Sequence, residues 1–209
     1  MKHFIDMGAH QFEGLGEFTE KLGIDEQWYV YSFEANPFTY DAACKKILEV
    51  TQRYADLEFK NVAVMDSPGF VEFKCRIGGW ENGRYRTGFT AGSTALDNPI
   101  QEVQRDGYDI KFRYENVSVK CIDVNTILDQ ICEKDPDAEI YVKCDIEGAE
   151  YVVIPRLLES EHYNKIVEMH VEWHERFWKA CGEEPLRIQE KNELIAEIES
   201  RGTKYESHW

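Results

Sequence analysis

An α/β domain with a mostly parallel central sheet flanked by helices is what this sequence predicts, and three stretches carry that expectation. The first is Phe4 to Phe18, FIDMGAHQFEGLGEF: an apolar run ending in Asp6, a turn with Gly8, then a helix-like acid and apolar pattern. Strand, glycine-bearing turn and helix is how an open α/β sheet builds a nucleotide-shaped pocket at its strand ends. The second is Trp28 to Ala35, WYVYSFEA, a β-rich run ending in Glu34 ahead of Asn36 and Pro37. The third, Ile140 to Asp145, IYVKCD, reads as a buried strand that also ends in an acid.

Those terminal acids bear on the ligand. A carboxylate at Asp6 would repel the pyrophosphate of a dinucleotide and favour a ligand carrying an ammonium and a sulfonium. The glycines miss the GxGxxG spacing, and there is no GxxxxGK phosphate loop. The pocket therefore reads as one for S-adenosylmethionine. Glu34 lies near the offset where a nucleotide fold sets a carboxylate on ribose hydroxyls. An NAD-dependent oxidoreductase and a non-catalytic binding domain on the same fold are the alternatives.

Composition narrows the class further. The 209 residues fit a single domain, 1–209, large enough for a real core. A hydrophobic content of 43% with five tryptophans argues against disorder. The net charge of -16 makes nucleic acid or an anionic membrane an improbable partner, because phosphate binding needs a basic face. No apolar run reaches membrane-spanning length, and the few residues before the first strand leave no room for a secretory signal. The six cysteines form no CxxC pair, which suits reduced thiols and a cytoplasmic enzyme.

In chain order, Gly14 to Leu22 reads as a helix and Trp28 to Phe33 as a strand. Pro37 opens a helix running through Ala42, Cys44, Ile47, Leu48 and Val50. Leu57 to Met65 reads as the third strand. Asp66-Ser67-Pro68-Gly69 is a turn, and Phe70 to Arg76 returns from it as an added hairpin. The long 77–99 stretch is irregular, rich in glycine, and carries Trp80 and Tyr85. Aromatic faces beside polar groups suit a sugar, so these two are candidate substrate-binding residues. Val117 to Ile122 reads as a strand, Val124 to Ile131 as a short helix, and Val152 to Leu158 as an apolar helix. Ile166 to Trp173 is a strand, Leu186 to Ser200 an amphipathic helix closed by Gly202, and Thr203 to Trp209 a last strand.

The segments IDMGAH, SFEANP, NVAV, KCDIEGAE (Lys143 to Glu150) and HVEWHE, in that order along the chain, resemble the FkbM family of S-adenosylmethionine-dependent O-methyltransferases. The resemblance implies a class I, Rossmann-like methyltransferase fold. It implies cofactor contacts from Asp6, Gly8, Ala9, His10, Glu34, Ala35, Asn61, Ala63 and Asp145. Asp6 and Gly8 would line the methionine end, Glu34 would hold the ribose, and Asn61 and Ala63 would lie near ribose or adenine. Asp145 would border the reacting methyl. His10 departs from the asparagine common in the family. Family members often methylate sugar or polyketide hydroxyls, and the chain also resembles glycan-modifying enzymes of large algal viruses. A rhamnose-containing glycan acceptor, met in a host cytoplasm, is the corresponding expectation.

An alcohol is a poor nucleophile at neutral pH, so a base or a metal must handle its proton. Candidates are Asp145, Glu147, His170, Glu172 and His174. In IVEMHVEW, Glu168, His170 and Glu172 share one face of the strand, an unusual pattern for a buried parallel strand. Trp173, on the other face, is a candidate substrate contact. Asp145 with Glu172 offers oxygen ligands suited to Mg²⁺ or Mn²⁺.

Overall fold

A computed structural model of the chain describes residues 1–81, 84–86, 92–96, 102–105, 108–179 and 181–207. The first elements are β1 (Lys2–Met7), α1 (Glu13–Leu22), β2 (Trp28–Phe33), α2 (Pro37–Cys44), α3 (Ile47–Thr51) and β3 (Asp56–Lys60). β4 (Ala63–Met65), β5 (Gly69–Glu81), β6 (Arg84–Arg86), β7 (Glu102–Arg105) and β8 (Tyr108–Asp123) follow. The chain then forms α4 (Val124–Lys134), β9 (Glu139–Cys144), α5 (Glu150–Leu158), β10 (Ile166–Val171), α6 (Glu184–Ser200) and β11 (Lys204–Ser207).

The main sheet has six strands in the order β11-β10-β9-β1-β2-β3, and every neighbouring pair is parallel. β1 sits at its centre, and Phe4, Ile5, Asp6 and Met7 are all buried, because helices cover both faces. The alternation of side chains along β1 sends Phe4 one way and Ile5 and Met7 the other. Phe4 packs with Leu15 and Phe18 of α1 and with Trp28 and Val30. Ile5 and Met7 join Leu128, Ile154, Leu157 and Ile198 from α4, α5 and α6. Each such side chain fully buried contributes about 1.5–3 kcal/mol, so these two clusters carry the fold. This is the doubly wound α/β architecture that the sequence predicts.

Local chemistry ends the helices. α1 stops at Gly23, whose φ of 66° is left-handed and whose N–H donates to the Thr19 carbonyl. α2 starts on Asn36, whose side chain accepts from the N–H groups of Phe38 and Thr39, with Pro37 in the first turn. The single helix expected from Pro37 to Val50 is two, because the Lys46 N–H bonds the Ala43 carbonyl in a tighter turn.

The expected strand from Leu57 to Met65 is also two strands, in different sheets. Asn61 donates its amide N–H groups to the carbonyls of Glu34 and Ala35, which draws the chain off the edge of β2. β4 then pairs in parallel with β8. The expected hairpin onto the third strand does not form. β5 runs antiparallel to β8 instead, in a second sheet of order β4-β8-β5-β6 with β7 also on β8. Part of the expected irregular 77–99 stretch is therefore strand, with β5 turning back into β6.

The six cysteines are free. No helix among the described residues is long and apolar enough to cross a membrane.

Candidate active site

From β1 the chain winds outward to β2 and β3, then crosses back to β9 on the other side of β1. The C-terminal ends of β1 and β9 are thus the switch point at which an open α/β sheet opens a crevice. An open cleft lies there, lined by Gly8, His10, Glu34, Ala63, Asp145, Glu147 and, from the second sheet's side, Gly92, Ser93 and Ala95.

Gly8 makes the crevice possible. Its φ is 85°, and a Cβ there would lie 1.8 Å from the Asp145 carbonyl oxygen. The N–H groups of Gly8 and Ala9 both donate to the Phe33 carbonyl, which ties the turn to the end of β2. His10 follows at φ 47° and donates its N–H to Glu34 Oε2 at 2.8 Å. The Asn36 N–H donates to Glu34 Oε1, also at 2.8 Å. Burial pushes the Glu34 carboxyl upward against those two backbone bonds. Each oxygen keeps a lone pair for a hydroxyl in the cleft.

Beneath α1 the parallel register sets Ser32, Asp6, Lys143, His170 and Glu206 in one row across five strands. Lys143 is 2% exposed, and its ammonium lies 3.4 Å from both Asp6 Oδ1 and Asp145 Oδ2. It donates to the Gly8 carbonyl at 2.6 Å. Burial alone would lower its pKa, but the two carboxylates outweigh burial and hold it above the ordinary lysine value.

This row corrects two expectations. Asp6 does not line the cleft: it is fully buried, its counter-ion is Lys143, and Ser32 donates to it. His170 lies under α1, edge-on to Phe18, with Nε2 donating to Glu168 at 2.8 Å. Lys21 and Glu206 hold its other side, at 3.5 and 3.6 Å from Nδ1. Glu168 in turn accepts from Lys204 at 2.9 Å. Two of the three polar residues in this alternation, Glu168 and His170, thus belong to a paired network under α1, and His170 stands apart from Asp145.

Asp145, Glu147, Glu172 and His174 do converge, beside the cleft. His174 is fully buried, with Nε2 at 3.2 Å from Glu147, 3.4 Å from Glu172 and 3.7 Å from Asp145. Its Nδ1–H donates to Glu150 at 2.9 Å. Glu150, in the first turn of α5, also accepts the N–H groups of Ile146 and Gly148. Burial alone would lower the His174 pKa, but Glu150, Glu147 and Asp145 raise it to about 9. Burial pushes Glu147 up to about 7 against the pull of His174. Glu172 is raised by burial and by Asp145. Arg176 reaches Glu172 and Glu147 at 3.5 and 3.7 Å from the solvent side.

The other candidates fall elsewhere. Ala9 is buried under α1, and Ala35 packs with Ala63 and Phe73. Asn61 acts on the backbone of the Glu34 turn and is not a wall of the cleft. Trp173 is in the core, edge-on to Tyr151 and donating its N–H to the Tyr205 hydroxyl, and it does not line the cleft. Trp80, 41% exposed on β5, does not line the cleft. The side chain of Tyr85 lies outside the described residues.

The 77–99 stretch contributes through small residues. Ser93 Oγ accepts from the backbone N–H of Arg76 and from the Asn36 amide. Thr94 donates its hydroxyl to the Glu147 carbonyl at 2.6 Å. Lys143 and Glu150 were visible in KCDIEGAE, but nothing in their spacing assigns them a role. Their signal was available only as an acid opening a helix and a lysine between two acids.

A family model described as the methyltransferase FkbM domain matches residues 6–205. Neither the curated proteins nor the solved structures gave a significant match. The matched span contains the Gly8 turn, Glu34, the Lys143–Glu150 segment and His174, which together build the cleft and its acidic rim. The chain belongs to the FkbM methyltransferase family.

Proposed function

We propose that this domain transfers the methyl group of S-adenosylmethionine to a hydroxyl oxygen of a sugar, a rhamnose unit in a glycan being the first acceptor to test. The observation that carries the cofactor assignment is Glu34: a buried carboxylate at the cleft, fixed by two backbone donors, with lone pairs left for vicinal hydroxyls. When bound, the cofactor supplies a methyl on a positively charged sulfur. The protein's work is then to align that carbon with the acceptor oxygen and to manage the acceptor's proton. Gly8 and His10 shape one wall, and Ala63 to Met65 the other. Glu147, facing both the cleft and His174, is placed to take the proton. A sugar acceptor is supported by the family's habits and by the long glycine-rich stretch whose Gly92 to Ala95 segment walls the cleft.

Glu34→Ala should weaken S-adenosylhomocysteine binding by about 1.5–3 kcal/mol, the worth of hydrogen bonds to a charged group. Glu197→Ala, on the outer surface of α6, serves as the control. Calorimetry showing equal affinity in both would remove the ribose assignment. Labelled S-adenosylmethionine incubated with rhamnosides and with non-sugar alcohols, read by mass and NMR, tests the acceptor. Label on the alcohols alone would exclude the sugar.

A further inference from the structure

The acidic rim contains more than carboxylates, and its histidine indicates what completes it. Glu150 is fully buried and already accepts the N–H groups of Ile146 and Gly148. An ionised carboxylate can only accept, so the His174 nitrogen facing it, Nδ1, carries a hydrogen. A histidine oriented through one ring nitrogen by a carboxylate presents the other nitrogen as a ligand. Here that nitrogen is Nε2, a buried atom that makes no hydrogen bond although the carboxylates of Glu147, Glu172 and Asp145 lie around it.

Nε2 points into a ring of oxygens. Asp145, Glu172 and His174 each place one ligand atom within 4.8 Å of the other two. Lys143 takes Asp145 Oδ2 and leaves Oδ1 turned toward His174. Metal–ligand bonds of about 2.1 Å set neighbouring ligand atoms roughly 3 Å apart. The 3.4 and 3.7 Å separations from Nε2 to Glu172 and Asp145 close on an ion with a small side-chain shift.

We propose that His174 Nε2, Asp145 and Glu172 bind a divalent cation of the Mn²⁺ class, with Glu150 as the residue that positions His174. One imidazole among carboxylate oxygens suits Mn²⁺, which accepts both ligand types. The second histidine cluster, Glu168, His170 and Glu206, differs because Lys21 and Lys204 already supply its positive charge. Binding of the cation stands on these residues alone. Its use in drawing an acceptor hydroxyl to the cleft rests on the methyltransferase reading.

Chelator-stripped protein titrated with Mn²⁺, with free ion followed by electron paramagnetic resonance, should take up one ion per chain. Glu172→Gln should lose it; Glu172 is partly exposed, so the variant should still fold, which a thermal melt checks. Glu150→Gln should weaken it about 10–100-fold, as removal of an orienting carboxylate does. Glu206→Gln should bind as the parent does. No uptake by the parent protein, or uptake that survives Glu172→Gln, would overturn the site and leave a protonated His174 as its own counter-charge. Uptake lost only in Glu206→Gln would also overturn it. S-adenosylhomocysteine calorimetry without metal separates the two readings: binding there with no Mn²⁺ uptake sinks this proposal alone.

Discussion

Lys143→Met is expected to lower folding stability by about 3–5 kcal/mol, the cost of leaving a buried charge without its partner. Methionine matches the length of the lysine stem but supplies no charge to Asp6, which is fully buried beneath α1. It also leaves the Gly8 carbonyl without its 2.6 Å donor, at the turn that forms the cleft. Asp6→Asn in the Lys143→Met background should recover part of the loss, since a neutral amide needs no counter-ion. Urea unfolding of the single and double variants measures both effects. A loss of about 1 kcal/mol or less in the single variant, the scale of an exposed ion pair, would show that water reaches this row.

Glu147→Gln is expected to reduce kcat by about 10²–10⁴-fold, the usual contribution of a positioned proton acceptor, while S-adenosylhomocysteine affinity stays near that of the parent. Glu147 lines the cleft, its φ of 53° aims the loop inward, and the Thr94 hydroxyl on its carbonyl holds that loop in place. Glutamine keeps the size and the loop contacts but cannot take the proton. Turnover within about a factor of ten of the parent would move the role to another group. Asp145 would then be the next residue to test, because it sits where β9 ends against the Gly8 turn.

Much of the fold was legible because its elements are long and locally patterned. β2 runs from Trp28 to Phe33 as its β-rich run predicts, and α1 ends at the glycine that follows Leu22. The second sheet was not legible. β5 finds its partner in β8, with paired residues from Glu81 and Ile110 to Gly69 and Cys121, and no local alternation names a partner at that distance. The same limit explains Leu57 to Met65, which reads as one apolar strand until Asn61 is seen tied to the carbonyls of Glu34 and Ala35.

At the site, residue types and strand ends could be read from the chain alone, because glycine after a strand and an acid at its end leave a local trace. That was enough for Gly8, Glu34 and Asp145 to be named, and all three line the cleft. Asp6 and His170 carry the same trace yet face into the protein. Which acids meet water, which meet a ligand and which meet a lysine depends on the parallel register. It aligns Asp6 with Lys143 and Lys143 with His170 in a row under α1. His174 shows the same division: its position after β10 is in the sequence, but its pairing with Glu150 requires α5 folded against that strand end. Local pattern decides the elements and the chemistry each end carries. Only the packed sheet decides which of those charges neutralise one another and which remain at the cleft.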